Sequence, residues 1–233
     1  MNYAIIAAGK GSRLVEEGVA TPKPLVRLNG ISLIDRLIAI FCNNHATSIS
    51  IIINNEMEKV QQHLLEMRVN IPLHLVVQST PSSLHSFFEL SPYLKTDKFC
   101  LTTVDTVFKE EEFAAYIQNF ITDNAYDGMM AVTDFVDDEK PLYVSVDPDT
   151  QLITAYNDSP SKDVRYVSGG IYCLSSRALP VLQWCMNQGM SQMRNYQRQL
   201  IAEGMRLKAW PFRKIVDLDH AGDIEIAAAF LRE

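Results

Sequence analysis

The sequence predicts an α/β fold whose mostly parallel central sheet is flanked by helices, with mixed strands added in the second half. Two patterns lead to this prediction. In the first half, short apolar runs rich in Ile, Val and Leu alternate with longer segments that carry apolar residues at helical spacing. Strands and helices that alternate through short connections form parallel sheets with right-handed crossovers. In the second half, several strand patterns follow one another and are separated by turn residues.

The first half of the chain contains alternating strand and helix patterns. The strands are short and apolar enough to be buried, and the helices have apolar residues on one face. Ser32 lies three positions before Asp35, which resembles a capping box at the start of the first helix. The predicted strands are Tyr3–Ala8, Ser50–Ile53, Leu73–Val77 and Phe99–Val104. The predicted helices are Ile31–Asn43, Glu56–Met67, Ser83–Leu94 and Glu110–Asp123.

The second half begins with strand patterns and returns to helices near the end. Asp147-Pro148-Asp149-Thr150 is a turn signal between two of the strands. The predicted strands are Met129–Thr133, Leu142–Val146, Leu152–Tyr156, Val164–Leu174, Arg206–Trp210 and Lys214–Leu218. The predicted helices are Ser176–Asn187, Gln192–Glu203 and Ala221–Arg232. The sequence has no internal repeat, low-complexity tract or linker pattern, so we expect a single domain over residues 1–233.

Composition excludes several classes of partner. The chain has 233 residues, 47% of them hydrophobic, and a formal net charge of -7 without a run of basic residues. We therefore expect no binding to nucleic acid or to a membrane surface. The four cysteines lie far apart, which predicts reduced, buried thiols. No apolar stretch approaches the roughly 20 residues of a membrane span. The N-terminal apolar run is too short for a signal peptide, so the expected compartment is the cytoplasm.

A loop of small residues follows the first predicted strand and precedes two basic residues. Gly9 and Gly11 would let backbone N–H groups approach a phosphate chain that a Cβ atom would hold off. Arg13 and Lys23 supply the positive charge that a triphosphate needs. A tight turn without a ligand, and a surface position for each basic residue, are the alternatives. The loop is Ala7-Ala8-Gly9-Lys10-Gly11-Ser12, and the lysine lies in Thr21-Pro22-Lys23-Pro24-Leu25.

The string A-A-G-x-G-x-R, followed at this distance by P-K-P-L, resembles the signature of the sugar-phosphate nucleotidyltransferases, also called nucleotide-sugar pyrophosphorylases. The resemblance implies a Rossmann-like fold of the nucleotide-diphospho-sugar transferase type. It also implies a reaction that joins a nucleoside triphosphate to a sugar 1-phosphate or similar phosphomonoester and releases pyrophosphate. Residues 7–13 would bind the nucleotide, and Arg13 and Lys23 would be catalytic, holding the triphosphate. We expect a nucleotide-binding half at 1–125 and an acceptor-binding half at 126–233.

A second match lies after the third predicted strand. The segment from Gln78 to Leu84 resembles the Q-x-x-P-x-G-L stretch with which thymidylyl and uridylyl members hold the base. The resemblance implies that Gln78 and Ser83 bind the base, with Ser83 standing where those members carry glycine. An amide can donate or accept, and a side chain at position 83 narrows the slot. We therefore expect a pyrimidine triphosphate, with UTP or dTTP slightly ahead of CTP. A strand end and a helix cap are the alternatives.

Two aspartates resemble the metal ligands of this family. Asp105 directly follows the predicted strand Phe99–Val104, and Asp219 lies in a C-terminal segment similar to V-D-x-D-x-x-x-D-L. The resemblance implies that both bind Mg²⁺, for which carboxylates are suitable ligands. An ordinary turn aspartate and a helix cap are the alternatives. We expect Asp223 to cap or charge the start of the last helix. The histidines have no partners at metal spacing, so no zinc site is expected.

The acceptor side is the part with the loosest resemblance. Val167–Tyr172 resembles the A-G-I-Y strand of the family, which implies that Gly170 lies against the acceptor. The family precedes this strand with E-K-P, whose lysine meets the acceptor phosphate. Here the Glu-Lys pair is missing and the candidate, Lys162, is displaced. A glycine that only forms a bulge is an equal alternative for Gly170. The implied partners are a nucleoside triphosphate and a phosphorylated sugar or alcohol.

Three other functions stay open on the sequence. The segment Ser82–Phe87 loosely resembles choline-phosphate cytidylyltransferases. A glycosyltransferase would use a preformed sugar nucleotide and normally carries D-x-D, where this chain has Asp105-Thr106-Val107. A non-catalytic nucleotide-binding protein is compatible with the departures at Ser83 and around Lys162. Pyrophosphate release from different nucleoside triphosphates would distinguish these possibilities.

Overall fold

The computed structural model describes residues 1–136, 139–160 and 164–233. The strands are β1 (Asn2–Ala7), β2 (Arg27–Leu28), β3 (Ile31–Ser32), β4 (Ser48–Ile53), β5 (Leu73–Val77), β6 (Lys98–Thr103), β7 (Thr106–Val107), β8 (Gly128–Thr133), β9 (Tyr143–Val146), β10 (Ile153–Asn157), β11 (Tyr166–Ser175), β12 (Leu207–Phe212) and β13 (Val216–Asp217). The helices are α1 (Ser12–Glu16), α2 (Leu33–Asn43), α3 (Glu58–Glu66), α4 (Ser83–Leu90), α5 (Glu110–Thr122), α6 (Ala178–Asn187), α7 (Met193–Ala202) and α8 (Ala221–Phe230). Among these residues no helix is long and apolar enough to cross a membrane.

Within the described part of the chain, the main sheet contains nine strands, seven of which follow the order β10-β9-β11-β6-β1-β4-β5. β1 lies between β4 and β6 and is parallel to both, and β5 is parallel to β4. β11 runs antiparallel to β6, β8 and β9, and β12 is parallel to β8. The predicted fold is therefore confirmed: a parallel sheet in the first half, extended by mixed strands from the second.

β1 occupies the middle of the parallel strands and is buried along its whole length. Its side chains alternate between the two faces of the sheet. Tyr3 and Ile5 belong to the core that includes residues of α2 and α5, whereas Ala4 and Ile6 belong to the core that includes residues of α4 and α6. Because both faces are covered, the strand reads as a continuous apolar run. The same burial fixes the strand so that the loop after Ala7 starts at a defined point of the sheet edge.

All predicted elements are present, and the largest difference concerns the helix predicted over Ser83–Leu94. α4 ends at Leu90 and continues as a 3-10 turn at Ser91–Tyr93. Pro92 lies inside this turn, where its missing N–H and its ring would interrupt an α-helix.

Three short elements were not predicted: the hairpin of β2 and β3, helix α1 and strand β7. Asn29 and Gly30 both have positive φ angles, 50° and 91°, which is the geometry of a tight hairpin turn. Ile31 and Ser32 therefore belong to β3, and the prediction that α2 starts at Ile31 is wrong. Ser32 instead caps the helix, because its Oγ accepts from the backbone N–H of Asp35 at 3.1 Å.

Tyr116 of α5 joins the facing strands β8 and β11. Its ring is fully buried, and its hydroxyl donates to the carbonyl of Met129 at 2.5 Å. The same oxygen accepts from the backbone N–H of Cys173 at 3.0 Å. Met129 and Cys173 are paired across the two strands, so one hydroxyl satisfies a group on each.

Tyr116→Phe should lower the free energy of unfolding by about 1–3 kcal/mol, because it removes two hydrogen bonds to buried backbone groups. Equilibrium unfolding in urea measures this change. Tyr93→Phe, whose side chain is 38% exposed, is the matched control and should cost less than about 0.5 kcal/mol. Equal effects of the two changes would contradict the bridging role of the Tyr116 hydroxyl.

Candidate active site

The loop that follows β1 turns sharply into α1. Gly11 precedes the first residue of the helix with φ +60°, a left-handed conformation that favours glycine. A Cβ atom at Gly9 would meet no other atom within 4 Å, so this side of the loop is open. Asn54, which follows β4, donates from its side-chain amide to the carbonyl of Ala8 at 3.1 Å. The loop is thus held at its start and open where a ligand could approach its backbone.

Four of the predicted site residues meet in an ion cluster, which consists of Arg13, Lys23, Asp105 and Asp219. The Nζ atom of Lys23 lies 2.7 Å from Asp105 Oδ2 and 2.8 Å from Asp219 Oδ1. Arg13 Nη1 contacts the second oxygen of Asp219 at 2.9 Å. The Lys23 side chain is only 9% exposed. Residues separated by up to 206 positions therefore share one charged centre at the sheet edge.

The local backbone aims Lys23 at the two carboxylates. Pro22 and Pro24 flank it, and the three residues Lys23–Leu25 form a 3-10 turn. Proline fixes φ, so few backbone conformations remain open to this segment. Pro24 is buried, which anchors the turn in the protein. The lysine is thereby presented from a rigid support.

Asp105 and Asp219 come together through a small two-stranded sheet formed by β7 and β13. Asp217 in β13 pairs with Thr106 in β7, which is the residue after Asp105. The N–H of Leu218 then donates to the carbonyl of Asp105 at 3.1 Å. Two residues after β13 ends, the chain reaches Asp219. The unpredicted strand β7 is therefore what places the C-terminal carboxylate beside the one at the end of β6.

A further set of contacts links the end of α1 to the start of the C-terminal helix α8. The Asp223 carboxylate accepts from the N–H groups of Asp219 and His220 at 2.8 and 2.6 Å, so Asp223 caps α8 as expected. Glu17, just after α1, contacts His220 Nδ1 and the N–H of Ala221, each at 2.6 Å. These contacts fix the backbone at Asp219 and directly after it.

The electrostatics of the ion cluster favour its charged state. Burial alone would lower the pKa of Lys23, but the ion pairs with Asp105 and Asp219 outweigh it and raise that pKa above its usual value. For Asp219, burial raises the pKa, yet its contacts with Lys23 and Arg13 lower it overall. The lysine stays protonated at neutral pH, and Asp219 stays ionised. The cluster therefore holds a cation between two carboxylates.

Two clefts meet at the ion cluster. After the ligands that the sequence predicts for their residues, we call the first the nucleotide cleft and the second the acceptor cleft. Their volumes are about 420 and 550 Å³. Asp105, Thr103 and Ser83 line both. The nucleotide cleft is lined mainly by residues 6–11, by Lys23 and by Ser79–Ser83. Two ligands could thus lie side by side with the carboxylates between them, which suits the transfer of a group from one to the other.

The predicted site residues divide between these clefts with four exceptions. Ser12 and Gln78 are exposed and line neither cleft. Lys162 lies outside the described residues. Arg13 reaches the cluster through Asp219. The nucleotide cleft contains Ala7, Ala8, Gly9, Lys10, Gly11, Lys23, Ser83 and Asp105. The acceptor cleft contains Ser83, Asp105, Gly170 and Asp219.

Sequence reasoning missed several residues of both clefts. Asn54 had a signal, because it is a polar residue at the carboxyl end of a buried strand. Arg194 and Gln197 of α7 line the acceptor cleft, but nothing in their sequence context singles them out, and Ser168 lies in the acceptor-strand motif without having been named as a site residue. They become neighbours only when α7 packs beside the sheet.

Comparisons with known proteins identify the family of the domain. A family model described as the MobA-like NTP transferase domain matches residues 3–202. No curated protein sequence matches the chain at a significant level.

Solved structures of several proteins share the fold over nearly the whole chain. The inositol-1-phosphate CTP transferase from T. maritima is 17% identical, with a TM-score of 0.80 over 100% of this chain and 96% of its own. A Bacillus anthracis protein assigned as a glucose-1-phosphate thymidylyltransferase and solved with a sucrose is 16% identical, with a TM-score of 0.85 over 100% and 96%. HddC from Yersinia pseudotuberculosis is 17% identical, with a TM-score of 0.72 over 98% of each chain. At such low identity these likenesses show the fold.

Lys23→Met should lower the free energy of unfolding by about 1–3 kcal/mol in metal-free buffer, because it leaves two facing carboxylates without their shared cation. Urea unfolding in the presence of EDTA measures the effect. Lys10→Met is the control, since Lys10 is 72% exposed and lies 3.6 Å from Glu56. If both variants are as stable as the parent protein, the buried ion pairs do not stabilise the fold.

Proposed function

The chain belongs to the MobA-like NTP transferase domain family, and we propose that it transfers a nucleotidyl group from a nucleoside triphosphate to a sugar 1-phosphate or similar phosphomonoester. The observation that carries this proposal is the ion cluster at the junction of two clefts. Such a junction gives one cleft to the triphosphate and the other to the acceptor. Two of the structural neighbours carry names of nucleotidyltransferases that act on phosphorylated cyclitols or sugars.

The proposed reaction is an in-line displacement. An oxygen of the acceptor phosphate attacks the α-phosphorus, the bond to the bridging oxygen of the β-phosphate breaks, and pyrophosphate leaves with the electron pair. This chemistry depends on positioning and charge stabilisation more than on a covalent nucleophile. The acceptor phosphate is ionised near neutral pH, so the reaction needs no general base from the protein.

The triphosphate would be held by the loop and the two basic residues. Residues Gly9–Gly11 line the nucleotide cleft, where their backbone N–H groups would donate to phosphate oxygens. Arg13 and Lys23 add charge-assisted hydrogen bonds that strengthen as negative charge develops on the leaving pyrophosphate. We infer that Lys23 exchanges its carboxylate partners for phosphate oxygens when the substrates bind.

Asp105 and Asp219 are the residues that would hold Mg²⁺. Among the described residues, no group of three or more His, Cys, Asp or Glu side chains could hold a metal by itself. Mg²⁺ commonly uses only one or two carboxylates and completes its shell with substrate phosphates and water. The Lys23 ammonium already stands between the two carboxylates as a cation, which fits such a position. When bound, the ion would neutralise and orient phosphate oxygens of both reactants.

The base preference is part of the same proposal. We propose a pyrimidine triphosphate, with UTP or dTTP slightly ahead of CTP. Ser83 lines the nucleotide cleft, where its side chain would narrow the slot for the base, and two structural neighbours carry names of pyrimidine nucleotidyltransferases. Gln78 would have to turn from the end of β5 into the nucleotide cleft to read the base. Residues Ser79–Ser83, which follow it, already line this cleft.

The organisation proposed for the chain is one domain over residues 1–233. Strands from 1–125 and from 126–233 share the main sheet, and the nucleotide cleft is built mainly from the first half. Apart from Ser82, Ser83, Thr103 and Asp105, the residues that line the acceptor cleft come from the second half. A cytoplasmic location stays a prediction from the sequence.

The experiment that tests the function measures pyrophosphate release with ATP, GTP, CTP, UTP and dTTP against a panel of sugar and alcohol phosphates. We expect Mg²⁺-dependent release that needs both substrates. Turnover with pyrimidine triphosphates should be about 10- to 100-fold higher than with purine triphosphates, because a purine would leave the base-reading amide of Gln78 unpaired at a cost of about 1–3 kcal/mol. Greater turnover with ATP or GTP would refute the base preference. Absence of release with every pair would refute the transfer reaction itself.

Arg13→Ala should lower turnover about 10²–10³-fold, because it removes a donor that acts on the developing pyrophosphate charge. Steady-state kinetics on the folded variant measure this loss. Arg177→Ala is the control, since Arg177 is 73% exposed and pairs with Asp127 instead of the ion cluster. Near-parental turnover of Arg13→Ala would remove Arg13 from the proposed triphosphate site.

Asp105→Asn and Asp219→Asn should each abolish most Mg²⁺-dependent turnover, because the amide keeps the shape of the side chain and removes ligand charge. Calorimetric titration of Mg²⁺ in the presence of a non-hydrolysable UTP analogue should show weakened binding for both variants. Asp134→Asn, at an exposed pair with Arg165, is the control. Unchanged Mg²⁺ affinity in both variants would assign the metal to other side chains.

A further inference from the structure

Gln197 is a polar residue buried in the wall of the acceptor cleft. It lies in α7, is only 2% exposed and belongs to the cleft lining together with Ser168. The Ser168 hydroxyl donates to Gln197 Oε1 at 3.1 Å. The amide nitrogen of Gln197 has no hydrogen-bond partner among the described residues. Although the residue is almost fully enclosed, this nitrogen is not one of the fully buried unpartnered atoms among the described residues, so it is accessible from the cleft, where a ligand oxygen can accept from it.

The hydrogen bond from Ser168 fixes the orientation of the amide. The Ser168 hydroxyl has one proton and donates it to Gln197 Oε1 at 3.1 Å. Burial and the negative charge of Asp217 raise the pKa of Tyr172 to about 12, so its phenol keeps its proton at neutral pH. With Oε1 committed to Ser168, the two N–H bonds of Gln197 are available for the cleft.

The rest of the cleft wall fits a ligand with several hydroxyl groups. A neutral amide N–H donates best to a hydroxyl or ether oxygen, and the Asp217 carboxylate in the same cleft accepts from hydroxyls. Arg194 also lines the cleft, pairs with Asp158 at 2.6 Å and donates to the carbonyl of Lys140 at 3.0 Å, and its guanidinium would have to exchange these partners to meet a phosphate. Among the described lining residues, Tyr172 is the one aromatic side chain. Quaternary ammonium groups are typically bound by cages of several aromatic rings, which this wall does not form.

We propose that Gln197, oriented by Ser168, donates a hydrogen bond to a hydroxyl of the acceptor and so selects a polyhydroxylated phosphomonoester over one with a quaternary ammonium group. The inference rests on the proposed function and deepens it by naming the residue that reads the acceptor. A site built to hydrogen-bond a hydroxyl discriminates strongly against ligands that lack it, because its own polar group is then left unpaired.

The test is calorimetric binding of α-D-glucose 1-phosphate, myo-inositol 1-phosphate and phosphocholine, each with Mg²⁺ and a non-hydrolysable UTP analogue. At least one of the two polyol phosphates should bind at least about tenfold more tightly than phosphocholine. Gln197→Met should weaken that polyol phosphate about 10- to 100-fold and leave the affinities for phosphocholine and the UTP analogue unchanged. Loss of selectivity with unchanged nucleotide binding is a result that a purely structural role would not produce.

Two further variants keep the test decisive. Gln197→Glu keeps an acceptor oxygen for Ser168 and removes the donor, so it should lose the polyol preference even if Gln197→Met folds poorly. Gln199→Met, on the same helix and outside the cleft lining, is the matched control and should bind like the parent protein.

The outcomes separate this inference from the proposed function. Tighter binding of phosphocholine, no binding of either polyol phosphate, or unchanged selectivity in Gln197→Met and Gln197→Glu would overturn the role of Gln197. Gln197-dependent binding of a polyol phosphate without pyrophosphate release from any nucleotide would support the inference and refute the transfer reaction.

Discussion

The buried ammonium of Lys23, held between Asp105 and Asp219, is the contact on which the arrangement of the site depends. It lies 2.7 and 2.8 Å from the two carboxylates and is almost fully enclosed. Removing the carboxylate charges would leave the enclosed ammonium poorly hydrated, whereas the Asp105 and Asp219 side chains are 23% and 45% exposed, so the lysine depends most on the contact. The three residues come from the start, the middle and the end of the chain, and their attraction ties these segments together at one edge of the sheet.

The fold supplies this contact with rigid supports. Prolines hold the turn that carries Lys23, the pair of β7 and β13 joins the carboxylate segments, and Glu17 and Asp223 fix the backbone around Asp219. The nucleotide and acceptor clefts open on either side of the cluster. In the proposed reaction a metal ion and phosphate oxygens would replace the internal ion pairs of the cluster. The cluster would therefore join three segments of the chain in the free protein and bind charged ligands during the reaction.

The sequence was most informative where chemistry follows directly from the end of a strand. The glycine loop after β1, Asp105 after β6 and the C-terminal aspartates could be found from apolar runs and motif spacing. Residues brought in by tertiary packing could not be found in this way. Gln197 has an ordinary helical context, and strand β7 is too short to give a pattern. Gln78 shows the converse, because its motif predicted a base contact and its side chain stands outside the nucleotide cleft.

The most direct test of the account is a crystal structure of the protein with Mn²⁺ and a non-hydrolysable UTP analogue, with the metal located by its anomalous scattering. The account predicts one metal peak within coordination distance of Asp105 and Asp219, with the Lys23 ammonium moved from the carboxylates to phosphate oxygens. A metal bound by other side chains, or a lysine that keeps both carboxylates while the nucleotide is in place, would contradict it.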